Sequence, residues 1–265
     1  MLHRYRLFWQ IHPEKTQEWY KEQCQRMTAN EVARELDISY ELSVTSRVFN
    51  CFNERKHVRY EEYRVNAYKP VYRIWDFGRT NVVLYGQIDE QTRRHVFFER
   101  LLTESNTLQQ LRACLEDCSR LFQPGQLFVD ICDPAGNYDD GRGKDTHVEI
   151  LNQSGIYPQF DRIVAMPTVE RKKRAMAMLE MDLQSCPAGD DALQLYISQD
   201  RKQGPVTLLK AFQSGYSFKL DAYGNVTDVI DEKHPYEDVM DCLMYWYLQT
   251  KQYNQPLKAQ YRYYR

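Results

Sequence analysis

The chain has seven cysteines but no CxxC pair, and it has no charged leader running into an apolar segment. The first absence removes the commonest zinc and dithiol spacings, and the odd cysteine count suits a reducing compartment better than a disulfide-stapled exterior. The second removes the pattern of a secretory signal. No window approaches the roughly 18 consecutive apolar residues of a membrane span. Charge of one sign is missing as well: 35 Lys and Arg against 37 Asp and Glu leave a formal net charge of -2, so no overall basic field directs the chain to a polyanion. A site that collects carboxylates would offset basic patches in that sum. Internal repeats and long low-complexity linkers are also lacking.

What is present describes a globular chain. At 265 residues, 43% hydrophobic and 27% charged, it can bury the core of one large α/β domain, or of a smaller domain with an appendage. Residues 1–57 differ from the rest of the chain, with Trp9, Pro13, Trp19 and Tyr20 in a polar, helix-prone context. Thr28 and Glu31 fit a capping box opening a short helix, and Ile38, Tyr40, Leu42 and Val44 alternate as an extended segment would. These faces have no evident partner within the segment, which resembles the edge of a domain.

The stretch that organises the chain beyond residue 57 is Val71 to Asp89, VYRIWDFGRTNVVLYGQID, two strands joined by a turn at Phe77-Gly78-Arg79. Asp76 ends the first strand, where a carboxylate is either a polar cap meeting water or a group in use. Strands are expected at 71–76, 80–88 and 94–99 as an antiparallel meander, then a helix over 106–122 capped by Asn106 and Gln109. Leu108, Leu111, Leu115, Cys118 and Phe122 form that helix's apolar stripe. Cys114 and Cys118, four apart on it, read as buried small residues rather than a metal pair. LFVDIC (127–132) has the apolar density of a parallel strand covered on both faces. The pattern continues with a Gly-rich polar loop over 133–147, a short helix at 148–154, a strand at 162–167 (RIVAMP) and a helix at 168–185 carrying Arg171, Lys172, Lys173 and Arg174. A strand at 193–197, a helix at 205–213, a hairpin over 216–230 and a final helix over 235–250 complete it. The fold expected is α/β, a mixed sheet of antiparallel meander and parallel strands flanked by helices.

Asp133 lies just past LFVDIC, where Pro134, Ala135 and Gly136 turn the backbone out of the sheet. If the strands ending at Asp76 and Asp133 are parallel neighbours, their carboxyl ends meet at the edge where open α/β sheets place their sites. Asp238 and Asp241 share a face of the final helix, which could bring further carboxylates to that edge. Such a cluster repels itself unless cations hold it, and oxygen-only donors suit Mg²⁺ or Mn²⁺ rather than Zn²⁺. Two ions about 4 Å apart support phosphodiester hydrolysis. The bland alternative is a set of ordinary acidic caps. Asp130, three residues before Asp133, is a fallback ligand. His234 beside Pro235 reads as a turn residue and Trp75 as core.

Four segments in order, HPEKTQEWYKEQCQRMTANEVARELDISYELSVTSRVF, WDFG, CDPAG and KHPYEDVMDCLMYW, resemble the large terminase subunit of tailed double-stranded DNA bacteriophages. The resemblance covers nearly the whole chain. It implies the end of an ATPase domain over 1–57 and an RNase H-like nuclease domain over 58–265, cutting concatemeric phage DNA in the host cytoplasm with two divalent ions. Carried over by position, Asp76, Asp133 and Asp241 are the catalytic and metal-holding acids, with Asp238 an added ligand or a neighbour. Glu237-Asp238 departs from the Ser-His common in the family. The chain also lacks GxxxxGK[ST]; GRGKDT at 141–146 has neither the spacing nor the strand-to-helix context, so no ATPase activity is expected of it alone.

Arg79, Arg142 and Lys144 flank the expected site and could grip phosphates, and Arg171, Lys172 and Arg174 could contact a DNA backbone; each is otherwise a solvated charge. The tail, Tyr261 to Arg265, mixes cations and aromatics as strand-binding surfaces do, or is a frayed end. Partners implied by the resemblance are double-stranded DNA, the portal protein and the small terminase subunit, with the isolated chain a monomer. The rival readings are a non-catalytic docking module of the packaging motor and an RNase H-like Holliday-junction resolvase.

Overall fold

A computed structural model of the chain describes residues 12–26, 46–138, 145–184 and 193–250. The expected capping box at Thr28, the alternation over 38–44, and the aromatic tail lie outside the described residues, as do Arg142 and Lys144.

The chain divides into two compact units, one of residues 1–50 and 212–232 and one of residues 51–211 and 233–265. The first contains helix α1 (Gln17–Arg26) and the hairpin of strands β7 (Ser217–Leu220) and β8 (Val226–Asp231). The hairpin reverses over Asp221 to Asn225: Asp221 accepts from the Tyr223 and Asn225 amides, and Gly224 takes φ +83°, a conformation glycine adopts at least cost. Phe49 stacks on Tyr216 and meets Phe212 edge-on, forming this unit's small aromatic core.

The second unit holds the other elements: α2 (Glu54–His57), β1 (Val58–Arg59), β2 (Val71–Asp76), β3 (Thr80–Ile88), β4 (Arg94–Thr103), α3 (Thr107–Leu121), β5 (Phe128–Cys132), α4 (His147–Gln153), α5 (Asp161–Val164), α6 (Thr168–Gln184), β6 (Leu193–Tyr196), α7 (Val206–Lys210) and α8 (Tyr236–Thr250). Its six-stranded sheet runs β1-β6-β4-β3-β2-β5. The β2-β3-β4 meander is antiparallel, whereas β5 joins β2, and β6 joins both β4 and β1, in parallel. This is the mixed sheet flanked by helices that the pattern predicts.

Period-two alternation sorts the side chains by face. Val71 and Trp75 of β2, Val83 and Tyr85 of β3, and Phe128 and Cys132 of β5 pack in one cluster with Leu111, Cys114 and Cys118 of α3 and with Val148 and Leu151 of α4. On the opposite face Tyr72 meets Trp246 of α8, and the Cys242 thiol of α8 donates to the Ile74 carbonyl at 3.5 Å. Gly86, at a bulge in β3, permits this approach: a Cβ there would lie 2.4 Å from the Trp246 ring and 2.8 Å from the His95 carbonyl oxygen. Asp76 therefore points toward α8, while Trp75 faces away from it.

Two expectations are corrected. RIVAMP is not a strand: 161–164 is helical and a turn comes after it. Its buried residues are Ile163 and Met166, with Val164 42% exposed, which is helical spacing; a short apolar run does not distinguish the two periods. In α3, Leu108 is 51% exposed, and the buried face instead includes Thr107, Gln110, Leu111, Cys114, Asp117 and Cys118. The polar members pair inside, Gln110 with strand carbonyls and Asp117 with Arg100. The capping box at Asn106 and Gln109 is complete, at 3.0 and 2.9 Å.

Candidate active site

Strands β2 and β5 are parallel neighbours, the condition under which the sequence brings Asp76 and Asp133 together, and their carboxyl ends meet at one edge. The ladder continues one step past β5, where the Asp133 amide donates to the Trp75 carbonyl at 3.0 Å. Asp133 then caps a single 3-10 turn over Pro134–Asn137, its carboxylate accepting from the Ala135 amide at 3.0 Å. Asp76 is held from behind, its carbonyl accepting from Gln110 Nε2 at 3.0 Å. Helix α8 packs across β2, β3 and β5 and delivers Glu237, Asp238 and Asp241 to the same edge.

The 3-10 turn over Pro134–Asn137 packs against a ring stack. Phe77 lies parallel to His147, with centroids 4.8 Å apart and planes 6° apart. Gly136 lies against that ring, so a Cβ there would come within 2.5 Å of Phe77. The residues just after the two acids are thereby packed together.

Electrostatically the cluster is costly. Asp76 is only 7% exposed, and among the described residues no donor or cation is paired with its carboxylate. Burial pushes its pKa well above the carboxylate range, and the charges of Asp241, Asp133, Asp238 and Glu237 push in the same direction. Burial also raises Asp133, opposed by hydrogen bonds from the Ala135 amide and the Tyr245 hydroxyl and by the charges of Arg171 and His147. Asp241 is pushed up to about 7, first by burial and then by Glu237, Asp133 and Asp238, with Lys172 opposing. Tyr245, raised by burial and by the acids around it, remains a protonated donor.

The remaining predicted residues divide. Asp238, 6% exposed, has both oxygens within 3.0 Å of His234 Nδ1, so this histidine is bonded to the cluster's edge as well as sitting in the turn. Lys172 reaches across from α6, its Nζ 2.9 Å from Glu237 and 3.9 Å from Asp241. Arg171 donates to the Met166 carbonyl at 3.0 Å, tying α6 to the turn after α5. Arg79 and Arg174 are exposed. The fallback Asp130 is committed elsewhere, bonded by Arg73 and by Trp75 Nε1 on the face away from α8.

Sequence reasoning missed Glu237, Tyr245 and the inward-facing role of Lys172. Glu237 and Tyr245 stand one turn either side of Asp241, a signal that α8 spacing alone contains. The reach of Lys172 depends on how α6 crosses α8.

The donor set suits a hard divalent cation, being carboxylate oxygens with one buried acid that no donor among the described residues meets. The adjoining thiols are unsuited to the role, since burial beside the acids keeps Cys132 and Cys242 protonated. Among the described residues no three His, Cys, Asp or Glu side chains converge tightly enough to enclose an ion, so the fit is one of chemistry and placement. No helix among the described residues is long and apolar enough to cross a membrane.

No protein-family model matches the chain, and no curated protein sequence is significantly similar. Solved structures are similar. The large terminase of a thermophilic bacteriophage matches at TM-score 0.53 and 11% identity, over 90% of this chain and 53% of that one. The nuclease domain of the P22 large terminase matches at TM-score 0.51 and 12% identity, over 77% of this chain and 92% of that one. That of bacteriophage SPP1, solved with bound Mn, is more distant at TM-score 0.45 and 11% identity. The chain thus spans about half the length of the thermophilic phage terminase and has the fold of terminase nuclease domains, as the resemblance implies.

Proposed function

We propose that this chain is a metal-dependent endonuclease domain that cuts concatemeric double-stranded phage DNA during genome packaging. The observation that carries the reading is Asp76, a buried carboxylate without a donor among the described residues, set among Asp133, Asp241, Asp238 and Glu237 where two parallel strands end. An acid so placed is neutralised by a proton or by a cation, and the carboxylate oxygens gathered around it suit the cation.

Asp76, Asp133 and Asp241 would hold Mg²⁺ or Mn²⁺, with Asp238 assisting. When bound, a pair of such ions supplies a nucleophilic water and stabilises charge on the phosphate and the leaving oxygen. The protein's own part is positional. Tyr245 and the Ala135 amide orient Asp133, Gln110 anchors the Asp76 backbone, and Lys172 offsets the charge of Glu237 and Asp241. Arg79, Arg142, Lys144 and Arg174 are candidates for gripping the duplex; Arg171 and Lys172 act first within the protein. Portal protein and small terminase subunit as partners, and the host cytoplasm as the location, belong to the same reading.

The test is plasmid cleavage with Mn²⁺, Mg²⁺ or EDTA, comparing the chain with its Asp76→Ala variant. Metal-dependent nicking and linearisation, lost in the variant, is the expected result. A folded, metal-saturated sample that leaves the plasmid intact would favour the docking module. Preference for branched DNA over linear duplex would indicate the resolvase.

A further inference from the structure

On the sheet face away from the acids, Arg73 of β2 is completely buried and uses its guanidinium in two directions. Nε and Nη2 grip Asp130 of β5 at 2.8 and 2.6 Å. Nη1 turns to α3, 3.5 Å from the Cys118 sulfur and 3.9 Å from that of Cys114. The Tyr85 hydroxyl, fully buried and without a hydrogen-bond partner among the described residues, is a third polar group beside these sulfurs. The helical spacing that places both cysteines over one guanidinium also makes them neighbours, and each affects the other's proton.

The two sulfurs differ in access. Cys118 lines a partly open cavity of about 250 Å³ walled by Leu115, Phe122, Pro124 and Phe128, and Cys114 does not. A cationic nitrogen beside a sulfur favours thiolate, the form that acts as nucleophile, and reactivity further requires an approach path. Cys118 has both, with the Asp130 carboxylate partly offsetting the guanidinium; Cys132 and Cys242, also buried, do not line this cavity.

We propose that Cys118 is a modification site, a nucleophilic thiol that captures small soft electrophiles, hydrogen peroxide among them, through this cavity. With an alkyl iodide the thiolate sulfur forms a bond to carbon, iodide leaves with the electron pair, and the thiol proton goes to solvent. With hydrogen peroxide the thiolate sulfur attacks one oxygen, the O–O bond breaks and hydroxide leaves, so that sulfur is oxidised to sulfenic acid and the peroxide is reduced. A Cys114–Cys118 disulfide forms no part of the site, because bridging one helical turn would require the helix to distort.

The experiment treats the native chain with substoichiometric iodoacetamide, and separately with hydrogen peroxide followed by a dimedone probe that traps sulfenic acid, and maps the adducts by peptide mass spectrometry. At pH 7 Cys118 is expected to react at least ten times faster than Cys132 and Cys242. Arg73→Lys should slow Cys118 while leaving the other two unchanged. The proposal is overturned if Cys118 reacts no faster than Cys132 and Cys242, or if Arg73→Lys accelerates all three together, the signature of reaction through unfolding. None of these readouts depends on nuclease activity.

Discussion

The Asp133 amide and the Trp75 carbonyl, bonded at 3.0 Å, place the two candidate acids. Because that bond continues the β2–β5 register, Asp76 and Asp133 both leave the sheet at its carboxyl edge. Helix α8 then needs only to cross the same edge to surround Asp76 with charge, and the thiol of Cys242 on the Ile74 carbonyl sets how closely it lies.

Gly136→Ala should destabilise the domain. The added methyl would lie 2.5 Å from the Phe77 ring, which is stacked on His147 and has little room to give. Overpacking of this kind costs about 1–3 kcal/mol. A thermal melt in EDTA should fall by several degrees, and an unchanged melt would show that the ring can move.

Tyr245→Phe should act on Asp133 without unfolding the chain. The phenol donates to that carboxylate and holds its pKa down against burial. Losing a hydrogen bond to a charged group costs on the order of 2 kcal/mol, so cleavage should fall roughly tenfold or more. With the Asp133 pKa raised further, a higher pH is needed to ionise it. The acidic limb of the pH–rate profile should therefore move to higher pH, and a uniformly lowered profile in an unchanged position would contradict the assignment.

The legible parts of this molecule are those set by local pattern. The strand ending in Asp76, the dense strand before Asp133 and the final helix carry their burial in their composition, so the sheet and its acidic edge could be read from the chain. Polar burial could not be read. Gln110, Asp117 and Arg73 look like surface residues in one dimension and are buried because a partner arrives from a distant element. The same limit hid Lys172, which has the sequence context of a solvated basic helix yet is aimed at two acids 65 and 69 positions away. RIVAMP failed differently, being too short for its period to show.

Lys172→Met should make the protein more dependent on metal. The ammonium lies 2.9 Å from Glu237 and 3.9 Å from Asp241, and it is the cation that offsets Asp241. Without it the acids repel more strongly in EDTA, so the melting temperature of the metal-free chain should fall. Saturating Mn²⁺ should then raise the variant's melting temperature by more than it raises the parent's, because the ion binds the native state and relieves the same repulsion. Equal increments in the two proteins would mean that Lys172 serves packing alone.

Asp241→Asn should stabilise the metal-free chain, increasingly so with pH. In the parent, burial and neighbouring acids raise the Asp241 pKa to about 7, whereas an unfolded chain leaves it near 3.8. The folded state therefore binds this proton more tightly. Its stabilising effect is complete below the unfolded value and is lost as pH rises through about 7, where the folded protein must hold the charge. Asparagine never acquires that charge. The side chain is 24% exposed and keeps part of its hydration, so the gain at high pH is taken as roughly 2 kcal/mol, or about 4–8 °C in melting temperature. In EDTA the melting curves of variant and parent should nearly coincide at pH 4 and separate progressively up to pH 8, with the variant higher. With Mn²⁺ present the order should reverse at pH 8, since the variant has lost a charged oxygen ligand. A separation that is constant across pH would mean that Asp241 does not titrate in this range.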